Sequence, residues 1–250
     1  MRAIIFGKLG KATKGETHMP ISKTDFIRGL QCEKMLWLDA HAPQLKIIPP
    51  EIQQKLDAGN EFGDNAMGIF GPFVETTTLK EDGKLYFAEM IRKTQTLLSC
   101  GETVICEGSF SWYGNFCAAD ILKKEGSGYA LYEVKNTNAP REEFFVDLGF
   151  QRLILRKNGV LLTSCNLVLR GEEGEENLIE HNGEKYKIVN ADKQARLYDR
   201  LAQNKIFELG KLKRKDAPMP NITTGEHCDC PYRCWYYEHC HCQNQPNQTD

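Results

Sequence analysis

From Ser22 onward, apolar residues recur every three or four positions: Phe26, Ile27, Leu30, Met35, Leu36 and Leu38. That spacing predicts one amphipathic helix, with Ser22 and Asp25 as its N-terminal signal. Pro43, Pro49 and Pro50 end it. A second helix is expected over residues 51–70, where Ile52, Leu56, Phe62, Ala66 and Ile69 share a face, with a stop at Gly71-Pro72. A third is expected over 84–99. The period then changes. Residues 103–110, 115–123 and 129–136 are rich in aromatic and β-branched residues and read as strands, with Gly126-Ser127-Gly128 turning the last two. Pro140 suits the first turn of a helix running to 157, closed by Gly159. Residues 160–169 read as another strand, 171–176 as a charged loop, 186–189 as a short strand and 192–209 as a helix. Helices ahead of a central sheet, with a helix packed after the third strand, make a mixed α/β fold.

A chain of 250 residues can bury a substantial core and suits one large domain with a small appendage. The expected division is an N-terminal extension of unknown role (1–18), a helical region (19–100), a catalytic core (101–210) and a Cys-rich tail (211–250). The 32 basic residues nearly balance the 34 acidic ones. This excludes a generally basic nucleic-acid coat but permits a local basic groove beside an acidic metal site. No apolar run approaches the ~20 residues of a membrane helix, and the opening MRAIIFGKLGK is interrupted too soon for a signal peptide. A cytoplasmic protein without a membrane partner is expected.

Ten cysteines change the picture. In a reducing compartment, clustered cysteines favour metal over disulfides. Five crowd the tail: Cys228, Cys230, Cys234, Cys240 and Cys242. Thiolates in that number suit an iron–sulfur cluster or zinc, and His227, His239 and His241 keep zinc open. Cys100, Cys106, Cys117 and Cys165 lie in apolar segments and read as small core residues. Cys32 by itself reads as a buried helix cysteine.

Three further pieces fall in order: Asp120 on one strand, Glu133-Val134-Lys135 on the next, and Gln151 on the following helix. Side chains alternate along a strand, so Glu133 and Lys135 share a face and Val134 points into packing. If the strands form a hairpin, Asp120 lies beside Glu133. Two carboxylates there make a hard oxygen site for Mg²⁺ or Mn²⁺, with the Val134 carbonyl as a further ligand. Such a metal activates water and stabilises charge on a phosphate, and Lys135 would orient the water or neutralise that charge. The plain alternative is a solvated strand face that alternates Glu and Lys.

The run AADILKKEGSGYALYEVKN resembles the D…ExK signature of the PD-(D/E)xK nucleases, and Gln151 in GFQRLIL resembles the glutamine of their RecB-like subgroup. From Ser22 to Cys240 the chain resembles the branch that includes the CRISPR-associated exonuclease of the Cas-four type. The resemblance implies a restriction-endonuclease-like core, a central mixed sheet flanked by helices, with N-terminal helices and a Cys-rich cluster subdomain. It implies a 4Fe–4S cluster held by one N-terminal cysteine, Cys32 in LQCEKMLW, and by Cys228, Cys234 and Cys240 in HCDCPYRCWYYEHC. Zinc is the alternative.

Two positions depart from that pattern. Leu155 stands where the family usually has tyrosine. No histidine follows Gly59 by four residues; Asn60, Glu61, Phe62 and Gly63 stand there. Glu61, Asp64 or water would take its place.

The expected function is a metal-dependent deoxyribonuclease, exonucleolytic on single-stranded DNA ends. Its expected role is CRISPR adaptation, recombination or repair, with a helicase or integrase as partner. The alternative is a metal-stabilised module that binds nucleic acid or a partner and cuts weakly or not at all. Lys205, Lys211, Lys213, Arg214 and Lys215 are candidate phosphate contacts, or a solvated helix end. Trp235, Tyr236 and Tyr237 are candidate base contacts, or packing around the cluster.

Overall fold

The computed structural model describes residues 18–242, so nearly all of the expected N-terminal extension lies outside the described residues. The single N-terminal helix expected from Ser22 is two helices, α1 (Lys23–Gln31) and α2 (Glu33–His41). They meet at Cys32, whose φ of −159° and ψ of 113° are extended rather than helical. Ser22 and Asp25 form the expected capping box on α1. The next two helices are shorter than expected. Helix α3 covers Pro50–Ala66, with single turns carrying the chain on to Gly71, and α4 covers Phe87–Cys100.

A seven-stranded mixed sheet forms the centre. Its strands are β1 (Val74–Glu75), β2 (Val104–Trp112), β3 (Asn115–Glu125), β4 (Gly128–Lys135), β5 (Leu162–Arg170), β6 (Ile179–His181) and β7 (Glu184–Asn190), in the order β1-β2-β3-β4-β5-β7-β6. Strands β1 and β6 are too short to carry a periodic signal and were not anticipated. Strands β2, β3 and β4 are a meander. Tyr113-Gly114 turns the first hairpin with two positive φ angles, and Gly126-Ser127 turns the second, as expected. Helix α5 (Glu142–Lys157) then crosses to β5, which pairs parallel with β4. Pro140 lies just ahead of this helix rather than in its first turn, and Arg141 takes the N-cap position.

Alternation along the central strands sorts two cores. Ile105, Leu122 and Leu131 face α5 and α6 (Asp192–Lys211), in a core that also takes Phe26 and Leu36 from the N-terminal helices. Cys106, Ile121, Tyr132 and Val134 face the opposite side, against Phe62, Ala66 and Met67 from the α3 region. Phe26 and Leu36 thus pack the N-terminal helices onto the sheet domain, while Met35 and Leu38 pack with Tyr236 of the tail in a separate small cluster. Gly149 sets the spacing of α5 and α6: a Cβ there would lie 2.6 Å from the backbone carbonyl carbon of Tyr198. The tail ends in a short helix, α7 (Tyr237–Cys242). Among the described residues no helix is long and apolar enough to cross a membrane.

Candidate functional site

Pairing of β3 with β4 matches Ile121 to Tyr132, which sets Asp120 opposite Glu133. The hairpin relationship expected from the sequence is present, and Val134 N–H donates to Asp120 Oδ2 at 2.7 Å. Between β2 and β3, Cys106 matches Ile121 and Gly108 matches Ala119, so Glu107 faces Asp120 from the other side. Glu107, Asp120 and Glu133 thus stand in one row across three strands. Like charges side by side on a sheet repel. The row is distorted at Glu107, which has a φ of +54° and whose carbonyl accepts from Ser109 Oγ at 3.0 Å. Sequence reading missed Glu107 because it lies outside the D…ExK string.

Glu133 is almost fully buried, on the face covered by α5. Asp147 and Gln151, one helical turn apart on α5, both reach it, and both are buried. Gln151 Nε2 donates to Glu133 Oε2 at 2.5 Å and to Asp147 Oδ1 at 2.9 Å. Lys135 Nζ donates to Glu133 Oε1 at 2.5 Å and Asp147 Oδ2 at 2.9 Å. All four residues named from the sequence, Asp120, Glu133, Lys135 and Gln151, are therefore brought together, and Asp147 joins them.

Lys23 joins them as well. Ser22 bridges to Phe116 of β3, and Ile21 N–H donates to Asn115 Oδ1 at 2.9 Å, which starts α1 over this end of the sheet. The Lys23 ammonium then lies 3.1 Å from Glu133 Oε1, 3.4 Å from Asp147 Oδ1 and 4.0 Å from Asp120 Oδ1.

Charge and burial compete here. For Glu133, burial and the Asp120 charge push the pKa up, but Lys135 and Lys23 outweigh them and hold it below its usual value. For Asp147, burial and the Glu133 charge prevail, and its pKa is raised. Burial alone would lower Lys135, yet Asp147 and Glu133 raise it, so its ammonium is firmly charged. Burial, then the Asp120 charge, push Glu107 up to about 7.

Lys23, Glu107, Asp120, Glu133 and Lys135 line a cleft of about 840 Å³ that is open to solvent, whereas Asp147 and Gln151 are buried and do not border it. One wall comes from α3, including Gly59, Asn60, Gly63 and Asp64; another comes from Pro231, Tyr232 and Arg233 of the tail. Asp64 borders the cleft, whereas Glu61 is exposed outside it. The loop tip of the tail, residues 231–233, borders this cleft, while Cys32 and the tail cysteines Cys228, Cys234 and Cys240 line a separate cavity.

Cys32 lies at the break, as C-cap of α1 and N-cap of α2. Cys32, Cys228, Cys234 and Cys240 line one small cavity with Met35, Leu38 and Tyr236. Cys230 and Cys242 are exposed and do not. Burial pushes the Cys234 thiol up to about 11 and raises Cys32 and Cys240. His227 lines the cavity, but His239 and His241 do not. Among the described residues, no three His, Cys, Asp or Glu side chains are drawn tightly enough together to hold one metal ion.

Trp235, Tyr236 and Tyr237 pack instead of facing the cleft. Tyr236 is buried and donates to Asp39 at 2.8 Å, Trp235 lies under Arg28 at 3.7 Å, and Tyr237 stacks on His241. The basic stretch is largely engaged in ion pairs: Lys205 with Glu208, Lys213 with Asp25, and Arg214 with Asp216. None of its residues lines the cleft. Cys106, Cys117 and Cys165 are buried as expected, but Cys100 is exposed at the end of α4. Comparison with protein-family models finds no match for the chain, and a search of curated proteins finds none either.

Proposed function

We propose that the chain is a divalent-metal-dependent deoxyribonuclease of the RecB-like PD-(D/E)xK type, acting on single-stranded DNA ends. The observation that carries this reading is the group of Asp120, Glu133 and Asp147 around a single ammonium. The Lys23 ammonium already lies among three carboxylates, two of which, Asp120 and Glu133, border an open cleft. That donor set suits a hard oxygen-seeking cation.

Asp120 and Glu133 would hold Mg²⁺ or Mn²⁺, with the Val134 carbonyl as a further ligand. When bound, the metal supplies Lewis acidity that activates water and offsets charge on the phosphate. Lys135, charged and held by Glu133 and Asp147, faces the cleft and neutralises charge developing on the phosphate. Gln151 positions Glu133 through its amide, and its own carbonyl oxygen is buried without a hydrogen-bond partner. The meander, the α5 crossover and parallel β5 support the restriction-endonuclease-like core.

Cys32 and three tail thiols wall one cavity, which supports the 4Fe–4S reading, with zinc as the alternative. The resemblance favours a cytoplasmic role in CRISPR adaptation, recombination or repair beside a helicase or integrase.

The test incubates anaerobically purified protein with labelled single- and double-stranded DNA in Mg²⁺, Mn²⁺ or chelator. Metal-dependent cutting that is absent from Asp120→Asn supports the proposal. No cutting above the chelator control by the wild-type protein overturns it, and a non-cutting binding module is then the better reading.

A further inference from the structure

We infer that Tyr232 is a stacking platform for an unpaired base of a single DNA strand in the cleft, and that the four-thiol centre holds it there. This rests on the nuclease reading above.

Tyr232 lies in the loop between Cys228 and Cys234. The base of that loop is closed by Cys234 N–H donating to the Cys228 carbonyl at 2.7 Å, and both cysteines line the thiol cavity. The Gln31 amide donates to the carbonyls of His227 at 2.8 Å and Tyr232 at 2.7 Å. Gln31 ends the helix that Lys23 begins, so one rigid element ties the loop to the carboxylates. The loop tip, Pro231 to Arg233, lines the cleft with Glu133 and Lys135. Tyr232 lies within electrostatic reach of Lys135, Asp147, Glu143 and Arg141.

The ring has no aromatic partner among the described contacts, and the residue is 45% exposed. Arg233 is engaged within the tail: its guanidinium covers the Tyr237 ring at 3.9 Å and pairs with Glu238 at 3.4 Å. Phe144, which also lines the cleft, is buried with Lys135 and Arg141 over its ring, so among the described residues Tyr232 is the exposed aromatic there. Lys55 and Arg141 border the cleft on either side of the carboxylates and, with Lys23 and Lys135, which are paired with Glu133 and Asp147, supply cationic contacts for a phosphate backbone. Lys135 and Tyr232 line the same cleft, so a strand with a phosphate at Lys135 would carry its bases past Tyr232. Stacking needs an unpaired base and tolerates any sequence.

The test measures binding of fluorescein-labelled oligo-dT to full-length, cluster-loaded protein in Ca²⁺ by anisotropy. An abasic strand of equal length and a blunt duplex are the comparisons. Tyr232→Ala is expected to weaken oligo-dT binding roughly tenfold, about 1.4 kcal/mol. Tyr232→Phe should bind as the wild type does. The abasic strand should bind wild type and Tyr232→Ala alike, and Cys234→Ser should lose the preference for oligo-dT over the abasic strand. Iron content and melting temperature should match the wild type in both Tyr232 variants. Wild-type affinity for oligo-dT in Tyr232→Ala overturns the inference, as does an equal loss on abasic or duplex DNA. If the wild type binds oligo-dT with this dependence but cuts no DNA with any metal, the nuclease reading fails and the stacking contact stands. If it cuts and Tyr232→Ala binds normally, only the stacking contact fails.

Discussion

The ammonium of Lys23 lies 3.1 Å from Glu133 Oε1, although the two residues are 110 positions apart in the chain. It occupies the space between the carboxylates proposed to hold a cation. A bound metal ion and this ammonium repel, and two unit charges about 4 Å apart interact by about 4 kcal/mol at an intermediate dielectric. Much of that is relieved when the lysine swings into the open cleft. Lys23→Met is therefore expected to raise Mn²⁺ affinity about tenfold, read by electron paramagnetic resonance on DNA-free protein. The wild type should bind Mg²⁺ weakly, keep several waters on it and prefer Mn²⁺ for activity. Unchanged or weaker Mn²⁺ binding in Lys23→Met contradicts the competition, as does micromolar Mg²⁺ binding by the wild type.

Asp120→Ala and Glu133→Gln should each abolish cleavage, and Lys135→Ala should lower it about 10²–10³-fold. Their effects on stability should differ. Asp120 is partly exposed, so its loss should leave the fold intact. Glu133 is buried against two ammoniums and an amide, so Glu133→Ala should cost about 3 kcal/mol, as breaking a buried ion pair does. Thermal melts alongside cleavage assays separate the two cases. Wild-type cutting by any of these variants, in preparations free of contaminating nuclease, would remove the assignment.

For the thiols, Cys32→Ser, Cys228→Ser, Cys234→Ser and Cys240→Ser should each bleach brown, anaerobically prepared protein and reduce its iron and acid-labile sulfide. Cys230→Ser and Cys242→Ser, at exposed positions outside the cavity, should keep both. The first group should also melt lower, because ligand binding energy contributes directly to folding. A colourless wild type with stoichiometric zinc would favour the zinc reading. Full iron in Cys32→Ser would confine the cluster to the tail.

Glu107 predicts a pH effect. Its pKa rises from 4.5 to about 7, through burial and then the Asp120 charge. Between those values the folded chain keeps a proton that the unfolded chain has released, so stability falls as pH rises through the window and the loss is complete above about 7. Melts in chelator from about pH 5.5 to 8 should show a fall that is shallower in Glu107→Gln. Equal slopes in the two proteins would mean that Glu107 does not carry the effect.

The sequence by itself determined what depends on local pattern. Strand periodicity and the Gly126-Ser127 turn put Asp120 beside Glu133, and alternation put Glu133 and Lys135 on one face with Val134 behind them. Gln151 was legible on the helix after that strand. The resemblance named the same four cysteines that line the cavity. Only the tertiary structure decided the rest. The break at Cys32 carries no glycine or proline, and the apolar spacing runs straight through it. Lys23 and Asp147 look like ordinary charged helix residues, and Glu107 like an ordinary strand residue. Tyr232 lies in a loop whose place depends on Gln31, 201 positions away. Periodicity records which face of an element is apolar, so it fixes how each element meets the core. It holds no record of which polar side chains from separate elements will meet, because those meetings are set by how the elements pack.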